Sequence, residues 1–132
     1  MGLIAIDARI SLATLDSGDA LHRVAMQAIV EAGEAAIVLP ASGLAESLVG
    51  AHRRGDAEAA RAVFDDLRIT IAPLSEEMAE EAARLRARHP SLRLGDALIL
   101  ATARVMDADA LLTGDRRWAA VWSRVRVLEP AA

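Results

Sequence analysis

Cysteine and lysine are both missing from the 132 residues, and aromatics make up only 2%. Without cysteine there are no disulfides, no thiolate nucleophile and no cysteine-ligated zinc, a pattern that fits a reducing compartment. Without lysine every basic residue is an arginine, and mechanisms that need a lysine amine are closed. With so few aromatics, the core must rest on alanine, leucine, valine and isoleucine. No apolar run approaches the roughly 20 residues of a membrane helix. The apolar start Leu3-Ile4-Ala5-Ile6 is too short for a signal-peptide core, and Asp7 interrupts it. Ile6 stands where a myristoylation signal wants Ser or Thr. The expected location is the cytoplasm, with no membrane contact. The formal net charge of −4 argues against a broad electrostatic grip on nucleic acid, though not against a local one beside bound cations.

What is present is apolar and regular. Hydrophobic residues are 54% of the chain, which excludes a disordered or purely solvating sequence. The length suits one domain, residues 1–132, with a real core. Strand-like runs at 3–7, 36–39, 69–72, 110–112 and 125–128 alternate with helical patterns near 10–15, 20–32, 41–53, 57–67, 76–88 and 94–106. Asp19 and Asp56 are candidate helix caps, and Gly55 and Pro90 are stop signals. Ser75 begins a capping pattern, with Met78 where a capping box wants Glu or Gln. The β-α alternation predicts a three-layer α/β/α fold around a parallel sheet of four or five strands.

Four acids sit where apolar runs meet turns or helix starts: Asp7, Glu46, Asp96 and Asp115. In a parallel α/β sheet such points gather in one crevice at the strand C-termini. A charged side chain in apolar surroundings is costly unless it is paired or bound to a metal. An oxygen-only donor set favours Mg²⁺ or Mn²⁺ over zinc, and such an ion serves phosphodiester hydrolysis. Each acid also has a plainer reading. Asp115 could cap residues 116–120 and Asp96 its own helix, while Glu46 and Asp7 are harder to explain that way.

The same residues carry a resemblance. Ile4-Ala5-Ile6-Asp7-Ala8, Leu39-Pro40-Ala41-Ser42-Gly43-Leu44-Ala45-Glu46, Leu94-Gly95-Asp96-Ala97 with Ala101-Thr102-Ala103, and Leu112-Thr113-Gly114-Asp115 follow one another in order. In this the chain resembles PIN-domain nucleases, specifically the VapC toxins of bacterial toxin–antitoxin pairs, over nearly its whole length. The resemblance implies a Mg²⁺- or Mn²⁺-dependent endoribonuclease acting on RNA, a homodimer, and a VapB-type antitoxin as partner. It places the catalytic and metal-binding quartet on Asp7, Glu46, Asp96 and Asp115, and suggests that Thr113 bonds a metal-bound water. Capping of the following turn is the alternative for Thr113.

The chain departs from that pattern twice. Arg9 stands where a small polar residue is usual, and Gly95 where proline is common. A guanidinium at position 9 could contact substrate phosphate, pair with a quartet acid or face solvent. Of the paired arginines, Arg116 is the preferred phosphate contact because it adjoins the fourth acid. His22, His52 and His89 lack metal-ligand spacing, and Trp118 and Trp122 read as packing. Receiver-like modules and dehalogenase-type phosphatases also gather acids in such a crevice, but they use a lysine this chain does not have. The remaining rival is a catalytically weakened PIN scaffold that acts through RNA or partner binding, with Arg9 its only support.

Overall fold

The computed structural model describes residues 2–131. Five strands form one parallel sheet: β1 (Leu3–Ile6), β2 (Ala36–Pro40), β3 (Ile69–Ala72), β4 (Ala110–Thr113) and β5 (Val125–Val127). Their order across the sheet is β3-β2-β1-β4-β5. The helices are α1 (Ala8–Leu15), α2 (His22–Glu31), α3 (Ala41–Arg54), α4 (Ala57–Asp66), α5 (Glu76–Arg88) and α6 (Leu94–Val105). A 3-10 turn, Arg116–Ala120, joins β4 to β5.

Side-chain alternation along the strands builds two cores. Ile6, Ile37, Leu39, Ile69 and Leu112 face one way, against Ile10 of α1, Leu21 just before α2, Ala25 and Ile29 of α2, and Phe64 of α4. Ala5 and Leu111 face the other way, against Ala82 and Leu85 of α5, Ile99, Leu100 and Ala103 of α6, and Trp118. The three-layer α/β/α expectation holds, with five strands. Alanine at Ala97, Ala101 and Ala103, each fully buried, lets α6 lie close to its neighbours without aromatic bulk.

Several helix starts differ from the sequence reading. Asp19 accepts from the Leu21 N–H at 2.8 Å in a turn before α2, and α2 begins at His22 without a side-chain cap. Asp56 precedes α4 but bonds Arg54 Nε at 3.2 Å instead of capping. Ser75 does cap α5, accepting from the Met78 N–H at 3.1 Å. Gly55 closes α3 at φ +80°, a left-handed conformation that glycine adopts without a Cβ penalty. Most relevant to function, α6 starts at Leu94, so Asp96 lies in its first turn and is not its cap.

The strand order has one reversal. The chain steps outward from β1 to β2 and β3, then crosses back to lay β4 on the opposite side of β1. The loops after β1 and β4 therefore part around a crevice at the strand C-termini, the place where open α/β sheets bind ligands.

Candidate active site

Asp7 is the first residue past β1 and the best-anchored of the acids. Its Oδ1 accepts from the Ile10 N–H at 2.8 Å, which caps α1, and its Oδ2 accepts from Thr113 Oγ1 at 2.6 Å. Its own N–H donates to the Leu112 carbonyl at 3.1 Å, continuing the β1–β4 ladder by one residue. Only 4% of Asp7 is exposed. The sequence suggested no use for such a carboxylate apart from a metal. The structure shows it also bonded to two elements of the fold.

Thr113 is fully buried at the end of β4. While donating to Asp7 it accepts from the Asp115 N–H at 3.0 Å, so one hydroxyl ties the first acid to the turn that carries the fourth. Of the two roles open for Thr113, turn capping is the one this geometry displays.

Glu46 and Asp96 come from two crossing helices. Gly43 of α3 sits so close to α6 that a Cβ there would fall 3.0 Å from Ile99 Cδ1 and 2.8 Å from Leu39 Cδ1. Glu46 lies nearly one turn beyond Gly43, and Asp96 nearly one turn before Ile99. A Cβ on Gly95 would lie 3.1 Å from Glu46 Oε1, so the Glu46 carboxylate passes directly over the start of α6. Behind this crossing, Ser11 of α1 and Ser47 of α3 share a buried hydrogen bond of 2.5 Å, a link the sequence reading missed.

All four acids line one open cavity of about 410 Å³, together with Arg9, Arg116 and Arg117. The acids influence one another. Burial first, then the charges of Asp96 and Glu46, push the Asp7 pKa up from 3.8 to about 6 against the pull of its Thr113 and Ile10 hydrogen bonds. Partial burial and then Asp96 raise Glu46. Partial burial and then Asp115 raise Asp96, opposed by Arg117 and Arg93. Asp115 goes the other way, held down chiefly by its hydrogen bond from Arg117.

The three arginines border the cavity in different ways. Arg117 grips Asp115 with two guanidinium contacts, Nε at 3.0 Å and Nη2 at 2.7 Å, and its N–H adds a third bond at 2.9 Å. Arg116, the sequence favourite, turns to Glu129 at 2.7 Å, although it still borders the cavity. Arg9 is exposed at the cavity wall and makes no ion pair among the described residues. The partner for Asp115 is therefore Arg117, a pairing the sequence reading did not anticipate.

The donor set suits a hard cation. Among the described residues Asp7, Glu46 and Asp96 form no ion pair within 4 Å, and their mutual repulsion is what a divalent ion relieves. Among the described residues no three acids converge tightly enough to enclose an ion by themselves. An ion that keeps several of its waters fits this spacing, as Mg²⁺ does with only one or two direct carboxylates.

The fold also matches known proteins. The family model described as PIN domain matches residues 4–122. A structure described as a toxin–antitoxin complex from Klebsiella pneumoniae superposes with a TM-score of 0.79 at 28% identity, covering 97% of this chain and 99% of the other. VapC20 from Mycobacterium tuberculosis, described as a Sarcin-Ricin loop cleaving toxin, gives 0.73 at 21% identity over 89% and 93%. VapBC2 from Rickettsia felis, solved with a DNA fragment from its promoter, gives 0.76 at 16% identity over 96% and 99%. No curated protein matches.

Proposed function

We propose, from the premise that the chain belongs to the PIN domain family, that it is a Mg²⁺- or Mn²⁺-dependent endoribonuclease of the VapC toxin class. The observation that carries the proposal is the convergence of Asp7, Glu46, Asp96 and Asp115 on one open cavity at the reversal of strand order. Support for the toxin assignment comes from the toxin–antitoxin complex of Klebsiella pneumoniae, which the chain matches over nearly its full length. On the same basis the expected partner is a VapB-type antitoxin.

Asp7, Glu46 and Asp96 would hold the cation, with Asp115 joining once Arg117 releases it. When bound, the cation supplies positive charge beside the phosphate that is being cleaved. The chain supplies the rest. Asp7 is kept in one orientation by Thr113 and the Ile10 N–H, so its oxygen need not reorganise during the reaction. Arg9 and Arg117, at the cavity wall and carrying exposed guanidinium groups, are placed to receive the flanking phosphates of an extended strand. The open cavity admits a single strand whose backbone can reach the acids.

RNA cleavage with Mg²⁺ or Mn²⁺, lost in EDTA, is the expected result. Among the described residues the Asp96 side chain makes no hydrogen bond and caps nothing, so Asp96→Asn should fold normally yet lose cleavage. Undiminished cleavage by folded Asp96→Asn, or in EDTA, would overturn the mechanism. A wild-type protein that binds RNA without cutting it would favour the weakened-scaffold alternative.

A further inference from the structure

Beside the acid cavity lies a second, smaller one of about 180 Å³. Asp96, Arg117 and Trp118 border both, so the two are neighbouring parts of one cleft. Their linings differ. The larger carries four carboxylates, whereas the smaller carries only Asp96, set against His89, Ser91 and Arg117 over apolar Leu92. Trp118, in the shared wall, is 4% exposed, and among the described residues its Nε1 has no acceptor. No other buried side-chain polar atom among the described residues is left in that state. Buried indole N–H groups are otherwise almost always bonded.

We propose that the smaller cavity is a subsite for the base of the nucleotide next to the scissile phosphate. This rests on the ribonuclease reading of the acid cavity. About 180 Å³ is well below the roughly 300–1,000 Å³ of a drug-sized pocket, so the space suits one ring system and not a dinucleotide. A base can enter only from a single strand, where it is free to splay away from its neighbours. Ser91 and Arg117 offer donors on its wall beside the Asp96 carboxylate, and the enclosed Trp118 N–H joins them once the ring shifts toward the ligand. Donors of this kind match ring carbonyl oxygens, which uracil, cytosine and guanine have and adenine lacks. Arg117 stands at the junction, and its pairing with Asp115 is at the surface, 80% exposed on the arginine side. Surface pairs of this kind open at little cost, so Arg117 can turn to the phosphate between the two cavities.

The chain has two tryptophans, so Trp122→Phe leaves Trp118 as the single indole reporter in the full-length protein. Titration of this protein with 5′-UMP in Mg²⁺ should change its fluorescence saturably, and 5′-AMP should bind about fivefold more weakly or worse. Ser91→Phe fills the cavity from an exposed position, and Ala120→Leu does so from the other wall, with folding checked by circular dichroism. Both should weaken UMP at least about tenfold while Mn²⁺ affinity, read by calorimetry, stays unchanged. UMP binding by both variants at parental strength, or no response to any of the four nucleotides, would overturn the subsite. Equal affinity for UMP and AMP would overturn its preference for carbonyls. If Ser91→Phe and Ala120→Leu cleave RNA at parental kcat/KM and at the same positions, the subsite fails and the nuclease stands. If UMP binds in a Ser91-dependent way but the wild type neither takes up Mn²⁺ nor cuts RNA, the nuclease reading fails and the base pocket stands.

Discussion

Burial among other carboxylates raises the pKa of Asp7 from 3.8 to about 6. Between those values the folded chain keeps a proton that the unfolded chain has released. Without a cation, stability should therefore fall as pH rises from about 4 to 6 and stay lower above that, a loss on the order of 3 kcal/mol. Asp7→Asn removes the charge and keeps an acceptor for the Ile10 N–H, but it presents an amide to Thr113 where a carboxylate had accepted. The net expectation in EDTA at pH 7.5 is a gain of about 1–2 kcal/mol in urea unfolding, with cleavage abolished. A loss of stability under those conditions would show that the hydrogen bonds outweigh the charge. Arg117 makes a second case at this scale. Its exposed pairing with Asp115 competes only weakly with a cation, so Arg117→Gln should tighten Mn²⁺ by roughly two- to fivefold. Arg9→Ser should change little in the absence of RNA, since among the described residues Arg9 pairs with no acid. Calorimetry on the two variants checks both expectations, and a larger effect from Arg9 would reverse their roles.

At the scale of elements, the spacing of Glu46 and Asp96 is set where α3 crosses α6 at Gly43 and Ile99. Gly43→Val forces side chains into a contact already tight for a Cβ, which costs about 1–3 kcal/mol. It should also weaken Mn²⁺ binding beyond what the stability loss explains, because both acids ride on the displaced helices. Mn²⁺ affinity equal to wild type in the folded variant would separate the crossing from the site. The Ser11–Ser47 bond pins α1 to α3, and a double-mutant cycle to alanine should give a coupling of about 1 kcal/mol. The strands were legible in the sequence because each is a short apolar run bounded by turn residues, and the four acids because each stands where an apolar run meets a turn or a helix start. Helix starts were less so. Asp96, which could read as the cap of its helix, lies inside the first turn of α6, and Asp19 serves a turn whose geometry depends on packing. The choice between Arg116 and Arg117 was not legible at all. In a 3-10 turn successive side chains diverge by about a third of a revolution, so the placement of the turn decides which arginine meets Asp115. Ser11 and Ser47 are 36 residues apart, and the only signal was a small polar residue on the apolar face of each helix.

For the whole molecule, the expected assembly is a homodimer built on residues 44–51 and 57–64, away from the acids. Val49, within the first of these segments, is 48% exposed, and a further cavity between α3 and α4 is lined by Leu48, His52 and Ala57. Light scattering should report twice the chain mass at micromolar concentration, and a monomer there would remove this expectation. Among the described residues no helix is long and apolar enough to cross a membrane. The reversal in strand order carries a last consequence. Asp7, Glu46, Asp96 and Asp115 belong to four segments far apart along the chain, brought together only in the finished fold. A cation held by them would work as a removable rivet, closing three long loops at once. The unfolded chain has no such site, so binding energy becomes folding energy. Trypsin, with 15 arginines available, should therefore cut the protein faster in EDTA than in Mn²⁺, and the Asp96→Asn protein should lose most of that difference. A metal bound in the cleft would then also set how long the protein survives proteolysis.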